Sequence, residues 1–203
     1  MEPAIADLID ELEANRAMFT ALCLACGPGD VMRAGPGDHW SVRDHVAHVA
    51  SYDQLVIGHL ASGERPSLAS SDPSLGVLMD GDAWNAAEIE RRESRDTTSL
   101  LDEMEQLRAR SLEMLAASSA SDVKREVYFP GDARRAPGPV PLRLWLRYWS
   151  KHDMLHAQAI VRAIPQLAAN ADFQAWLADD PLLEALNRET GPTLERGDHG
   201  VAN

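Results

Sequence analysis

The sequence is poor in cysteine and basic residues and lacks long apolar runs, and each shortage argues against a class of protein. Only two cysteines occur among 203 residues, which excludes a fold held together by several disulfide bonds. Nineteen basic residues stand against 32 acidic residues, and the resulting net charge of −13 argues against binding to nucleic acid or to an anionic membrane. No apolar run approaches the roughly 18 residues of a transmembrane helix. The first residues lack the basic start of a signal peptide, so we expect a cytoplasmic protein.

What is present predicts an all-α protein with one core. Hydrophobic residues make up 45% of the chain, which is ordinary for a globular domain of this length. Alanine and leucine dominate the apolar residues while isoleucine and valine are sparse, and this balance favours helix over strand. We find no internal repeat and no domain boundary. The prediction is a single helical-bundle domain over residues 1–189, followed by a flexible polar tail over 190–203.

Helical spacing and helix-ending residues predict four main helices and one extra helix near the C terminus. The predicted ranges are 3–26, 41–61, 82–117 with a break or kink near 96–98, 141–163, and 171–188 for the extra helix. Ser41 and Asp44 fit a capping box at the start of the second helix. The connections at 63–81 and 118–140 are expected to be irregular, with at most a short extended piece at 127–129.

Two histidines lie on the apolar stripe of the fourth main helix. That stripe, at steps of three and four residues, contains Trp145, Trp149, His152, His156, Ala159 and Ala163. A buried imidazole needs partners for both ring nitrogens, and leaving one unmet costs on the order of 1–3 kcal/mol. Histidines four residues apart can bind one metal ion from adjacent turns, but the same spacing is common by chance. A metal site therefore requires a third ligand.

The other histidines are the candidates for that ligand: His39, His45, His48, His59 and His199. The first and last lie in a predicted loop and in the tail, where we expect them to be solvated. His59 lies roughly 16 Å along the helix from His48, so these two cannot bind the same ion. Helical periodicity does not choose between His45 and His48. Trp40 stands just before the capping box, where it is expected to pack on His45, and this weakly favours His48 as the ligand.

The segment from Trp40 to Ala50, Trp-Ser-Val-Arg-Asp-His-Val-Ala-His-Val-Ala, resembles the second-helix motif of the DinB/YfiT-like metalloenzyme family. In that motif a histidine follows the tryptophan by eight residues, which corresponds to His48. The second motif of the family, a histidine pair in a late helix, is matched by His152 and His156. The resemblance covers about residues 5–165, so the extra C-terminal helix and the tail lie outside it.

The resemblance implies a four-helix bundle of up-down-down-up topology that is commonly a homodimer. It also implies that His48, His152 and His156 bind one divalent ion, with zinc or nickel the expected metal. Three imidazoles leave a coordination position open, as catalytic zinc sites do. Asp44 and Tyr148 each lie about one turn before a predicted ligand, which makes them candidates for orienting His48 and for assisting at His152. No catalytic residue beyond the ligands is identified.

Members of this family include thiol-dependent S-transferases and mycothiol-dependent isomerases. The resemblance therefore implies a metal-dependent enzyme that uses a low-molecular-weight thiol, such as bacillithiol or mycothiol, on a small-molecule substrate. One alternative is a hydrolase or isomerase that uses metal-bound hydroxide. Another is a non-catalytic ligand-binding or stress-related helical module. Cys23 and Cys26 are interpreted as ordinary, partly buried cysteines, because no strand precedes them as a redox pair would require.

Overall fold

Four long helices form the bundle in the computed structural model, which describes residues 3–61, 81–129, 136–178 and 180–190. They are Pro3–Leu24 (α1), Val42–Ala61 (α2), Thr97–Ala116 (α4) and Leu142–Ala163 (α6), and a shorter helix, Gly81–Arg91 (α3), precedes α4. These bounds confirm the four predicted helices and the predicted break, where the Asp96 carboxylate accepts a hydrogen bond from the Ser99 N–H and caps α4. Within the described ranges, none of the helices has the length and apolar character needed to cross a bilayer.

Two apolar clusters stacked along the bundle reveal the direction of each helix. The first cluster contains Phe19, Val46, Leu100 and Ile160, one from each long helix. The second contains Leu12, Val56, Leu112 and Trp145, again one from each. The chain therefore runs from the second cluster to the first in α1 and α6, and in the opposite direction in α2 and α4. This order is the predicted up-down-down-up topology.

A buried ionic layer lies between the two apolar clusters. We call it the four-helix ion cluster, because each long helix contributes one member: Arg16, Asp53, Arg108 and Asp153. The Arg16 guanidinium lies 2.8 Å from each aspartate, and that of Arg108 lies 3.1 and 3.2 Å from them. No member is more than 8% exposed. Two positive and two negative charges thus compensate one another at mid-bundle, an arrangement that the sequence analysis did not anticipate.

The segment after α4 is more ordered than predicted. It holds a one-turn helix, Ala120–Lys124 (α5), and two antiparallel strands, Glu126–Phe129 (β1) and Gly138–Pro141 (β2), so the expectation of irregular structure was only partly right. The Val127 side chain is buried in the second apolar cluster, which anchors the strand pair on the bundle. Strand pairing needs a partner distant in sequence, and periodicity over so few residues could not reveal it.

The predicted single helix at 171–188 is wrong. After a 3₁₀ turn at Pro165–Ala169 there are two helices, Ala171–Leu177 (α7) and Pro181–Thr190 (α8). Asp180 precedes Pro181, and a residue before proline disfavours the helical conformation. Its carboxylate instead caps α8 by accepting hydrogen bonds from the N–H groups of Leu182 and Leu183. The connection predicted at 63–81 falls almost entirely outside the described residues, as does the predicted tail beyond Thr190, so the division at 189 stays a prediction.

Candidate metal centre

Three histidine rings converge between α2 and α6. His48 projects from α2, while His152 and His156 project from adjacent turns of α6, and all three are buried. Nε2 of His152 lies 3.1 Å from Nε2 of His48 and 3.2 Å from Nε2 of His156. One nitrogen from each ring lies within 4.8 Å of the other two. The structure thus brings together the three residues that the sequence predicted as ligands.

The spacing and chemistry of these nitrogens fit a transition-metal ion. Two nitrogens bound to a tetrahedral zinc at about 2.05 Å are separated by about 3.3 Å, close to the observed separations. A neutral ring nitrogen carries one proton or one lone pair, so Nε2 of His152 can form a good hydrogen bond with only one of its two neighbours. A cation that accepts three lone pairs would remove this mismatch. Imidazole nitrogen suits zinc, nickel, copper and iron.

The electrostatics of the site keep these rings neutral. Burial lowers the pKa of His48, His152 and His156 well below the ordinary value, and neighbouring imidazoles lower it further in each case. A histidine must be unprotonated at the ligating nitrogen to bind a metal. The fold therefore holds the three rings in the charge state that ligation requires.

Aromatic side chains enclose the three rings. The Trp40 ring centroid lies 4.7 Å from that of His48 and 5.8 Å from that of His156, on which it stacks at 19°. Tyr52 stacks on His152 at 3.9 Å and 21°. Tyr52 was not among the predicted site residues, although its position one turn after His48 on the same helix could have indicated it. These two rings cover the histidine rings on the side of α2 and of the loop that precedes it.

The two residues suggested as helpers of the ligands have other contacts or none with the three rings among the described residues. The Asp44 carboxylate accepts hydrogen bonds from the N–H and Oγ of Ser41 at 2.9 and 2.7 Å and from Arg43 at 3.4 Å, so it completes the helix cap. Tyr148 is half-buried and makes no ring contact with the three histidines within the described part of the chain. The capping box is confirmed, while the roles of Asp44 and Tyr148 beside the ligands stay predictions.

His45 lies against the site rather than in it. Its Nδ1 is 3.0 Å from Nδ1 of His156, and its Nε2 is 3.1 Å from Oδ2 of Asp38. The expected packing of Trp40 on His45 is present, with ring centroids 5.5 Å apart. Burial alone would raise the pKa of Asp38, but hydrogen bonds from His45 and from the Trp40 N–H bring it below its ordinary value. The contact of His45 with His156 was not predicted.

The remaining histidines are separate from the three rings. His39 is exposed, as expected, and His199 lies outside the described residues. His59 packs in the other half of the bundle, where its ring centroid is 4.5 Å from that of Trp145 and where neither ring nitrogen has a hydrogen-bond partner among the described residues. This position confirms that His59 cannot share an ion with His48.

Burial of His59 predicts a pH-dependent stability. Burial, and to a smaller extent the charge of Arg125, lowers its pKa to about 4. The unfolded chain restores a pKa of about 6.5, so it binds more protons than the fold between pH 6.5 and 4, and the fold loses up to about 3 kcal/mol on acidification through that window. The His59→Leu variant should lack this part of the pH dependence.

Urea unfolding of the metal-free protein at pH 7 and pH 4.5 measures the effect of His59. The exposed His39 provides the control, because His39→Ala should keep the full pH dependence. The same change in the free energy of unfolding between the two pH values in wild type and His59→Leu would contradict the assignment.

The two cysteines have the properties of unreactive thiols. Both are free, Cys23 buried and Cys26 half-buried. Burial raises the pKa of Cys23 well above its ordinary value and that of Cys26 to about 11. Because the thiolate is the reactive form, these pKa shifts disfavour reaction of either cysteine at neutral pH. This confirms the interpretation drawn from the sequence.

A helical bundle whose second and last long helices bring three histidines together defines the class of this protein. The family model of the DinB superfamily matches residues 11–160, and the chain belongs to this superfamily. Comparison with curated proteins finds no significant match.

Solved structures with a similar fold include an isomerase and YfiT. Mycothiol-dependent maleylpyruvate isomerase superposes with a TM-score of 0.60 at 16% sequence identity, over 77% of this chain and 60% of the isomerase chain. YfiT from Bacillus subtilis, described as a probable metal-dependent hydrolase with an unusual four-helix bundle topology, superposes with a TM-score of 0.58 at 18% identity, over 81% of this chain and 90% of YfiT. This chain therefore spans less than two thirds of the isomerase but most of YfiT. At these identities the likeness shows a common fold.

Proposed function

We propose that this protein is a divalent-metal-dependent enzyme in which His48, His152 and His156 bind one ion, zinc or nickel, and that it transfers a low-molecular-weight thiol to a small electrophile. The observation that carries the proposal is the convergence of three buried, neutral imidazoles whose Nε2 atoms lie 3.1 and 3.2 Å apart in two of the three pairs. Membership of the DinB superfamily supports it, as does a fold shared with a mycothiol-dependent enzyme.

The ligand set suits activation of a thiol. When bound, an ion held by three neutral ligands keeps most of its positive charge and lowers the pKa of a coordinated thiol or water. The three histidines would hold and orient this ion, and Trp40 and Tyr52 would exclude bulk water from their side of it. In the transfer, the thiol loses its proton, its sulfur forms a bond to the electrophilic carbon, and the leaving group departs with the electron pair.

Hydrolysis by an activated water is the second candidate. It is favoured by the likeness to YfiT, because this chain covers 90% of that probable metal-dependent hydrolase. The same open coordination position serves a water or a thiol, so the ligand set suits both reactions. The homodimeric state implied by the resemblance, and the cytoplasmic location, stay predictions.

The test uses protein purified without a histidine tag or chelator and then loaded with Zn²⁺ or Ni²⁺. We expect conjugation of 1-chloro-2,4-dinitrobenzene that requires both the metal and one member of a panel of mycothiol, bacillithiol, glutathione and cysteine. Removal of the metal with EDTA should abolish this activity, and His39→Ala should retain it. Turnover of an activated ester without thiol would favour the hydrolase instead. Rates of the metal-loaded protein that do not exceed those of buffer in either assay would overturn the proposal and favour a non-catalytic module.

A further inference from the structure

We propose that Asp38 and His45 are positioning residues, which form a hydrogen-bond chain that directs the Nε2 lone pair of His156 at the metal position. The inference rests on the proposed function, since it takes the three converging histidines as ligands. It assigns a role to His45, a buried histidine that is not one of the three proposed ligands. It also extends the site from the bundle interior to the loop before α2.

Hydrogen-bonding distances connect the loop before α2 to the site without a gap. Oδ2 of Asp38 lies 3.1 Å from Nε2 of His45, and Nδ1 of His45 lies 3.0 Å from Nδ1 of His156. The Asp38 side chain is one quarter exposed, whereas both histidines are buried. His45 lies one turn before His48 on α2, so the same face of α2 presents a ligand and the partner of another ligand to α6.

For an ionised Asp38 and a neutral His45, the two hydrogen bonds determine where the protons lie. An ionised carboxylate only accepts hydrogen bonds, so Nε2 of His45 must donate to Asp38. In neutral His45 the other nitrogen, Nδ1, then carries a lone pair, and the hydrogen between the two Nδ1 atoms belongs to His156. A neutral His156 with its proton on Nδ1 has its lone pair on Nε2, the atom 3.2 Å from Nε2 of His152. The chain thus selects the tautomer of His156 that a metal ligand requires.

The same geometry separates the role of His45 from that of a ligand. His45 contacts Nδ1 of His156, whereas Nε2 of His152 lies 3.2 Å from the other nitrogen of His156, Nε2. Of the described residues, only His48, His152 and His156 form a group of three or more potential ligands whose donor atoms all lie close together. An ion bound by those three would therefore leave His45 hydrogen-bonded to the far nitrogen of His156.

Asp38 itself is held by a second hydrogen bond. Its Oδ1 accepts from the Trp40 N–H at 3.0 Å, so each carboxylate oxygen has a different partner. The Trp40 ring in turn packs on His45 and stacks on His156. Asn in place of Asp38 must point its amide N–H₂ at either His45 or the Trp40 N–H. If the N–H₂ group faces His45, the direction of the hydrogen-bond chain is reversed. If it faces the Trp40 N–H, two donors lie opposite each other.

The experiment measures Zn²⁺ affinity by competition with a chromophoric chelator, together with the d–d absorption spectrum of the Co²⁺-loaded protein. Asp38→Asn is nearly isosteric, and His45→Phe keeps a ring against Trp40 while removing both hydrogen bonds. We expect each to weaken Zn²⁺ binding about 10- to 100-fold. The Co²⁺ spectrum should keep the intensity of the wild type, because the number of ligands does not change. His45→Gln, which can donate and accept, should recover part of the loss, and His39→Ala should bind as the wild type does.

The outcomes separate this inference from the proposed function. If the wild type binds no Zn²⁺, both are overturned. If the wild type binds and His48→Ala does not, while Asp38→Asn and His45→Phe bind as tightly as the wild type, only the positioning role is overturned. Two results would show that His45 is a ligand and not a positioning residue. One is a Co²⁺ spectrum of His45→Phe that indicates fewer ligands than in the wild type, and the other is a loss of affinity as large as that in His156→Ala. Urea unfolding of each variant at pH 7 shows that the fold is intact.

Discussion

Replacing His152 with alanine is expected to weaken Zn²⁺ binding by more than about a hundredfold, which corresponds to about 3 kcal/mol of binding free energy. His152 is the central ring of the three, because its Nε2 faces those of both His48 and His156. Its loss leaves two nitrogens from different helices and removes the ligand that links them. A chelator-competition titration at pH 7.5 measures the change, with His39→Ala as the control that should bind normally.

His152→Ala is expected to weaken metal binding but to make the metal-free protein less sensitive to acid. Burial lowers the pKa of His152 in the fold, while the unfolded chain restores about 6.5, so the wild type loses stability as the pH falls below that value. His152→Ala should lose less stability on acidification than the wild type, even though it binds metal poorly.

For the Zn²⁺ titration, a His152→Ala variant whose affinity stays within threefold of the wild type would contradict the assignment of His152 as a ligand.

Replacing Arg108 with methionine is expected to lower the free energy of unfolding by about 3–5 kcal/mol, the range observed when one partner of a buried ion pair is removed. The change leaves Asp53 and Asp153 buried with Arg16 as their single cation. It also removes the donor that reaches the Leu12 carbonyl at 2.9 Å. Methionine keeps much of the apolar stem of arginine, so the loss reports mainly on charge and hydrogen bonding.

The control for this variant lies on the same helix. Arg110 is exposed on α4, so Arg110→Met should change the free energy of unfolding by no more than about 0.5 kcal/mol. Urea unfolding at pH 7 measures both. A loss below 1 kcal/mol for Arg108→Met would show that the four-helix ion cluster contributes little.

The same cluster predicts how the wild type responds to strong acid. Burial alone would raise the pKa of Asp153, but the guanidinium groups of Arg108 and Arg16 bring it down to about 2. This pKa lies below the unfolded value of about 3.9, so the contribution of Asp153 is present above about pH 4 and is lost as the pH falls toward 2. Arg108→Met, which weakens that interaction, should show a smaller loss over the same interval.

The ion cluster also bears on the metal centre. Asp153 is adjacent to His152 in α6, and Asp53 lies on α2 between His48 and His59. Charge pairing at these positions restricts how α6 can slide or rotate against α2. That alignment sets the distances between the Nε2 atoms of the histidines on α2 and those on α6. An ion held by three imidazoles requires these distances to be short.

Much of the site could be predicted because its determinants are local. The capping box at Ser41 and Asp44 sets the start of α2, and the four-residue spacing of His152 and His156 places both on one face of α6. The residues in contact with the ligands could not be predicted in the same way. Asp38 lies in a loop without periodicity, and whether a tyrosine on α2 or on α6 stacks on His152 depends on how the two helices are rotated.

The amino-acid sequence by itself determined the four long helices, their apolar faces and the placement of His152 and His156 on one stripe, because helix formation and amphipathic spacing depend on residues a few positions apart. The choice of His48 over His45 came from the resemblance of residues 40–50 to a family motif. Only the tertiary structure decided which groups meet across the bundle. Three such features are the packing of α5 and the two strands on the second apolar cluster, the four-helix ion cluster and the contact of His45 with His156. These features join residues as far apart as 137 positions in the chain. Their formation depends on the relative alignment of packed helices, which no local pattern encodes.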